Sequence, residues 1–301
     1  MNSHFQLDNP NLGKEDILYH IGLTAKDDLQ SMFQDVKFVC MGGKPSRMQK
    51  FAAYLDDKLG KPETSRREKG ELLDISGSAG RYSMYKAGPV LSVSHGIGQA
   101  SLSVVLNEIL KLLHYAKCNK DVIFIRIGSS GGLGVEPGTL VITDQPYNST
   151  LEPVFLHISL GRSIPRPCST CPDTRRELLN CSKNLGIPAV IGNTMATDDF
   201  FEGQCRLDGA FCDYSDEDKM NFLKRANQEL GVKNIEMEST CFSAMCNRAN
   251  VKSAVICSAL LNRLQQDVVD ATVQDMDKWQ QQSFEVVAAF ISNTVNDNVV
   301  S

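Results

Sequence analysis

The sequence holds no apolar run near the ~18 residues that a bilayer-crossing helix needs, no basic surplus, no internal repeat and no complete metal-binding signature. The absent run argues against a membrane span, and Met1 to Pro10 is polar rather than basic-then-apolar like a secretory signal, so a cytoplasmic protein is expected. A formal net charge of −5 and a pI near 5.6 lack the cationic excess that binding a nucleic-acid polymer requires, which leaves small ligands. Ten cysteines at irregular spacing in 301 residues do not form a secreted disulfide framework. The pair Cys168 and Cys171 has half a zinc spacing, but no second such pair completes a tetrad, and Pro165, Pro167 and Pro172 place it in a loop. No metal is expected there, and an optional disulfide stays open. HExxH and Ser/His/Asp patterns are missing too, so neither zinc hydrolysis nor a serine nucleophile competes for the chemistry.

What is present is an average soluble composition, 42% hydrophobic and 22% charged, ample for a sizeable core. Strand-length apolar runs alternate with helical spacing, the α/β signature, and one large domain over 1–301 is expected, with 1–15 as an N-terminal extension and 294–301 as a C-terminal tail. Val36 to Met41 reads as a buried strand, Gly42 to Arg47 as a turn, and Met48, Phe51, Ala52, Leu55 and Leu59 as the buried face of a helix. Arg81–Tyr85 and Val90–Ser94 read as a hairpin, Ser101 to His114 as a helix, and Val122 to Ile127 as a strand that ends at Gly128. Gln145 to Pro172 reads as a long proline-interrupted loop and Asn193 to Tyr214 as irregular, before Ser215 and Asp218 make a capping box for a helix reaching Leu230. Val251 to Leu261 is a further strand, and Trp279, Phe284, Val287, Ala288 and Ile291 mark a C-terminal helix.

Gly96-Ile-Gly98 stands between a strand and a helix, close to a dinucleotide fingerprint, but Ser101 replaces the third glycine. The next strand carries Arg126 where a ribose-binding acid belongs, which argues against a dinucleotide. An arginine in an otherwise apolar strand is costly to bury unless an anion meets it. Gly43, Arg47, Arg126 and Ser129 supply backbone amides, two guanidinium groups and a hydroxyl, the ingredients of a phosphate site; a structural ion pair with one of the 36 acids is the other reading of Arg126. Gln204 and Arg206, two residues apart, are either ordinary solvated loop residues or a reader of one planar edge. The amide offers an acceptor and donors and the guanidinium only donors. Uracil fits that pattern along O2, N3–H and O4, whereas cytosine would turn an amino donor toward Arg206.

The runs Val39 to Met48, Ser92 to Gly98 and Ile125 to Gly132 with Glu136 to Thr139, then Glu202-Gly-Gln-Cys-Arg-Leu-Asp-Gly209 and Asn234-Ile-Glu-Met-Glu-Ser239, resemble the uridine phosphorylases, especially the animal type, within the nucleoside phosphorylase superfamily. The resemblance spans about Asp16 to Ile291, and departs from the usual pattern at Val104, Ile109 and Phe201. It implies a single-domain α/β/α sandwich around a mixed, partly barrel-like sheet. Gly43, Arg47, Arg81, Arg126 and Ser129 are then implied to bind phosphate; His20, Ser129, Met237 and Glu238 the ribose; and Phe200, Gln204, Arg206 and Arg263 the base. Arg81 and His20 would serve the neighbouring subunit of a homodimer.

The implied reaction is reversible phosphorolysis of uridine to uracil and ribose 1-phosphate in pyrimidine salvage, with inorganic phosphate as co-substrate and no cofactor. Arg126, Gln204 and Arg206 would be the catalytic groups, meeting charge as it develops on phosphate and ring. Two alternatives remain open: a phosphorylase or hydrolase for another nucleoside, and a catalytically impaired paralogue that binds nucleoside. A purine enzyme is expected to carry an acid near purine N7, where this chain has Asn262 and Arg263.

Overall fold

The computed structural model describes residues 5–13, 15–77, 79–118 and 121–300, and the side chains among them up to 296. Residues 1–4 and 14 of the expected N-terminal extension and Ser301 of the expected tail lie outside the described residues. The chain groups into two compact units: Met1–Arg126 with Met245–Ser253 and Ile291–Ser301, and Ile127–Ala244 with Ala254–Phe290.

The first unit begins with two short paired strands, β1 (Ile17–Leu18) and β2 (Leu23–Thr24), and a one-turn helix α1 (Leu29–Phe33). Strand β3 (Phe38–Gly42) is buried at every position, and helix α2 (Pro45–Lys58) starts at a proline whose missing N–H is harmless in a first turn. Met48, Phe51, Ala52 and Leu55 of α2 are fully buried, as their spacing predicts; each such large side chain contributes about 1.5–3 kcal/mol by leaving water. A small ladder follows α2, β4 (Arg67–Glu68) with β5 (Glu71–Leu72). The expected hairpin is β6 (Met84–Ala87) antiparallel to β7 (Val90–Ser94), and helix α3 (Gly98–Tyr115) follows. Strand β8 (Ile123–Gly132) runs parallel to β3, which in turn runs parallel to β7.

Strand β8 does not stop at Gly128; it carries on through the glycine run, so Arg126 is a mid-strand residue. The glycines are what permits this. Within the second unit a Cβ on Gly131 would lie 2.9 Å from Arg263 Cγ, and one on Gly132 would lie 2.8 Å from the Leu261 carbonyl. Small residues here let strands approach closely rather than forming an open loop.

The second unit continues with β9 (Leu140–Tyr147), the ribbon β10 (Val154–Ser159) and β11 (Arg162–Pro167), and helix α4 (Pro172–Leu185). The ribbon corrects the loop expected from Gln145 to Pro172. Both of its strands are edges, so Pro165 and Pro167 pair in register with Leu156 and Val154 without interrupting a ladder on both sides. Strand β12 (Ala189–Ala196) likewise takes in four residues expected to be irregular, with a register shift between Asn193 and Thr194. Helix α5 (Asp216–Leu230) has the predicted capping box: Ser215 Oγ accepts from the Asp218 N–H at 3.2 Å, and Asp218 accepts from the Ser215 N–H at 3.0 Å.

Strand β13 (Val232–Glu236), helix α6 (Ser239–Arg248), strand β14 (Lys252–Asn262) and helix α7 (Val273–Val300) complete the chain, α7 including most of the expected tail. In the second unit the sheet order is β13–β12–β9–β14–β8, and β13 also pairs antiparallel with β8 through Asn234 and Gly132, so five strands close on themselves. Leu133, Met195, Leu223, Ala226, Val232 and Ile235 form a core where α5 covers β12 and β13.

Candidate active site

In the first unit the anion-binding candidates gather at the carboxyl end of β3. Arg126 is 97% removed from solvent, at 3% exposure, and is the register partner of Met41, two residues before Gly43. A Cβ on Gly43 would sit 2.9 Å from the Gly96 carbonyl, and Gly96 itself has φ of +72°, so the two glycine turns meet backbone to backbone. Arg47 lies in the first turn of α2, half-buried, beside an N-terminus that no side chain caps. That leaves helix amides and a guanidinium at one end of one strand, a suitable setting for an anion.

Arg81 is exposed and makes no hydrogen bond or ion pair with the described residues. His20, between β1 and β2, is held by Glu108 of α3: the carboxylate accepts from His20 Nδ1 at 2.7 Å and from the backbone N–H groups of His20 and Ile21. A carboxylate on Nδ1 fixes the proton there and leaves Nε2 as the acceptor of the neutral ring. This role of Glu108 was missed in the sequence, where it lies 88 positions from its partner on the face of a helix that reads as core.

In the second unit the base-reading candidates Phe200, Gln204 and Arg206 share one loop, and Arg263 follows β14. The loop is built by local bonds: Thr197 Oγ1 donates to the Asp199 carbonyl, Asp199 accepts from the Gly203 N–H, and a single turn of 3-10 helix spans Glu202–Gln204. Cys205 then takes a left-handed conformation, φ 55° and ψ 39°, which separates the Gln204 and Arg206 side chains within a tight turn closed by the Arg206 N–H on the Phe201 carbonyl. Tyr214 donates to the Arg206 carbonyl at 2.6 Å, and burial pushes its phenol up to about 12.

Gln204 is 4% exposed, and its side-chain amide bonds to none of the described residues; its backbone carbonyl accepts from Arg263 Nη2 at 2.8 Å. Arg206 is more constrained than its sequence position suggests. Its Nε and Nη2 make a two-bond pair with Asp208 at 2.8 and 2.7 Å, Nη2 also reaches the Asp267 carbonyl at 3.2 Å, and the guanidinium lies over the Phe200 ring at 4.8 Å. Only Nη1 is left without a bond to the described residues. One face of Phe200 is therefore occupied by Arg206, and its ring stands perpendicular to that of Phe201.

Arg263, 1% exposed, donates from Nε to Asp267 Oδ1 at 2.6 Å, and its buried Nη1 has no hydrogen-bond partner. Asp267 also accepts from the buried Lys219 at 2.6 Å. Asn262 spends its carbonyl oxygen on the N–H groups of Gly134 and Leu264. Asp208, Asp267 and Lys219 were missed in the sequence. Asp208 could have been found from its spacing to Arg206, but nothing local announces the other two.

Ser129 is half-buried in β8, on the part of that strand belonging to the second unit. Met237 and Glu238 occupy the bend between β13 and α6, Met237 half-buried and Glu238 buried. Glu236 shapes that bend: its carboxylate accepts from the N–H groups of Glu238 at 3.0 Å and Ser239 at 2.9 Å, capping the helix start with an anion where the dipole favours one. Cys168 and Cys171 are free thiols, and burial pushes Cys168 up to about 12. Among the described residues no group of three or more His, Cys, Asp or Glu side chains gathers as a metal site would, and no helix is long and apolar enough to cross a membrane.

The phosphorylase superfamily model matches residues 37–292. Uridine phosphorylase 1 of Mus musculus is 45% identical over 294 residues, which cover 96% of this chain and 93% of that protein. Uridine phosphorylase 2 of Homo sapiens is 46% identical over 92% of this chain and 86% of its own length. The crystal structure of uridine phosphorylase from Schistosoma mansoni in complex with thymidine superposes with a TM-score of 0.90 at 35% identity, covering 97% of this chain and 99% of that one. Agreement of this kind spans nearly the full length of each protein: the chain has the nucleoside phosphorylase fold and belongs to the phosphorylase superfamily, among its uridine phosphorylases.

Proposed function

We propose that this chain catalyses the reversible phosphorolysis of uridine, a step of pyrimidine salvage in the cytoplasm. A phosphate oxygen attacks C1′ of the ribose, the C1′–N1 bond breaks, and its electron pair leaves on the uracil ring, giving ribose 1-phosphate with inversion. Gly43, Arg47 and Arg126, with Ser129, hold the phosphate. Met237 and Glu238 hold the ribose, with Ser129 touching sugar as well as phosphate. Arg81 and His20 complete the site of the second subunit in a homodimer, a role consistent with an exposed, unengaged Arg81 and a His20 whose Nε2 is free to accept from a sugar hydroxyl.

The observation that carries this reading is the Gln204 side chain, 4% exposed yet with an amide that bonds to none of the described residues. A ligand with one donor and one acceptor side by side would engage both ends of that amide, each hydrogen bond contributing about 0.5–1.5 kcal/mol. Uracil N3–H and O2 meet it in that order, and Arg206 Nη1 donates to O4. Both donors bind the ring more strongly as negative charge spreads onto O2 and O4, which lowers the barrier for the leaving group without a proton transfer. Asn262 stands where a purine enzyme needs an acid, and its carbonyl is already bonded to two backbone amides, so a purine reading has no support from this position.

The test is absorbance of uridine with and without inorganic phosphate, with inosine in parallel. Phosphate-dependent release of uracil and no hypoxanthine is the expected result. Release without phosphate would make the protein a hydrolase, and a fully folded protein with no turnover would make it a nucleoside-binding paralogue.

A further inference from the structure

Asp267 stands outside every role above, yet it touches Arg206 of the base-reading loop, Arg263 just after β14 and Lys219 of α5 at once. Its carboxylate accepts from Arg263 Nε and from Lys219 Nζ, both at 2.6 Å, and its carbonyl accepts from Arg206 Nη2 at 3.2 Å. Arg263 passes the constraint on, because its Nη2 donates to the Gln204 carbonyl at 2.8 Å. Lys219 is anchored in α5, a capped helix packed on the core, so the chain of contacts runs from a rigid element to both uracil-reading residues. Burial pushes the Asp267 carboxyl up, but the hydrogen bond from Lys219 and the charge of Arg263 outweigh it and hold the group below its ordinary range, hence ionised at neutral pH.

We infer that Asp267, braced by Lys219, is a positioning residue for uracil recognition: it sets the Arg263 and Arg206 guanidinium groups so that each keeps Nη1 unengaged while the Gln204 backbone is held in place. The inference rests on the uridine phosphorylase reading. Three features make a merely structural ion pair an insufficient account. The pair is not isolated but joins two arginines from separate segments, Arg206 of the base-reading loop and Arg263 just after β14. The Nη1 of Arg263 is buried without a hydrogen-bond partner, which a purely structural arginine would avoid. Last, each guanidinium is gripped along one edge only, Arg206 by Asp208 and Asp267 and Arg263 by Asp267 and Gln204.

The test compares dissociation constants, by calorimetry with saturating phosphate, for uracil and for pyrimidin-2-one, which lacks the 4-oxygen and with it the N3 hydrogen, so that the ratio reads the Arg206 and Gln204 contacts together. Asp267→Asn keeps the volume and removes the charge. It should lower the preference for uracil over pyrimidin-2-one at least about fivefold, while the KM for phosphate stays within about twofold, as expected when one charge-assisted contact is misplaced. Lys219→Met should move the ratio in the same direction, and Lys219→Arg, which retains a cation facing Asp267, should restore most of it. Circular dichroism identifies folded variants, and the two Lys219 variants decide the matter if Asp267→Asn does not fold. An unchanged ratio, whether affinity falls equally for both bases or not at all, overturns the inference. Absence of phosphate-dependent cleavage by the unmodified protein would instead remove the reading beneath it, so the two failures are told apart.

Discussion

Arg206 carries more at the level of single residues than any other side chain in the loop, because it is both the proposed donor to uracil O4 and the lid on Phe200. Arg206→Ala is expected to lower kcat for uridine at least ~100-fold, the usual effect of losing one donor that acts mainly in the transition state; steady-state rates measure it, and near-normal turnover would remove Arg206 from the mechanism. The neighbouring Cys205 is held at φ 55°, a conformation that costs a residue with a Cβ about 1–2 kcal/mol. Cys205→Gly should therefore be within about 0.5 kcal/mol of the parent in urea unfolding, whereas Cys205→Val should lose on the order of 2 kcal/mol, since branching at Cβ worsens the clash. Equal stability of the two variants would mean that the turn is not held in this form. The arginine and glutamine were legible as a pair from residue type and spacing. Their tethering was not, because Asp267 is 61 positions away from Arg206 and is an unremarkable acid in a polar stretch.

Among elements, α5 matters to the site although none of its residues is proposed to touch substrate. It carries Lys219 and is fixed at its start by the reciprocal Ser215 and Asp218 bonds. Ser215→Ala should cost about 1 kcal/mol in unfolding free energy, the typical effect of removing an N-cap acceptor; a chemical denaturation midpoint reads it directly, and an unchanged midpoint would mean that the cap is unimportant. This helix was predictable because its signals are local: a cap, a spacing of three, and an apolar stripe. Ribbon β10–β11 was not, since Pro165 and Pro167 are breakers by propensity and become acceptable only when each strand has one partner. The same holds for β8 past Gly128, where glycine reads as a turn until Arg263 and Leu261 are seen to need the space.

At the level of the whole molecule, the proposed dimer makes a prediction that neither residue nor element can make alone. If Arg81 serves the partner's site while Arg206 serves its own, then Arg81→Ala and Arg206→Ala chains, each nearly inactive, should complement each other. Random reassociation would give half mixed dimers with one intact site of two, about a quarter of the parent activity. Activity that stays at the level of the separate variants after unfolding and refolding together would place Arg81 and Arg206 in one subunit's site or remove Arg81 from it.

Sequence by itself determined the alternation of strands and helices, the capped helix after Ser215, the glycine turn at Gly43, and which polar residues could meet an anion and a planar base, because propensity, capping and hydrogen-bonding capacity are properties of a few neighbouring residues. Tertiary structure alone decided that five strands close into one sheet, that Glu108 seats His20, and that Arg206 presents a single amino group because Asp208 and Asp267 hold the rest. Those outcomes depend on pairings across tens of positions, where the choice of partner is set by chain topology and the cost of burying an unpaired charge, neither of which a local stretch of residues records.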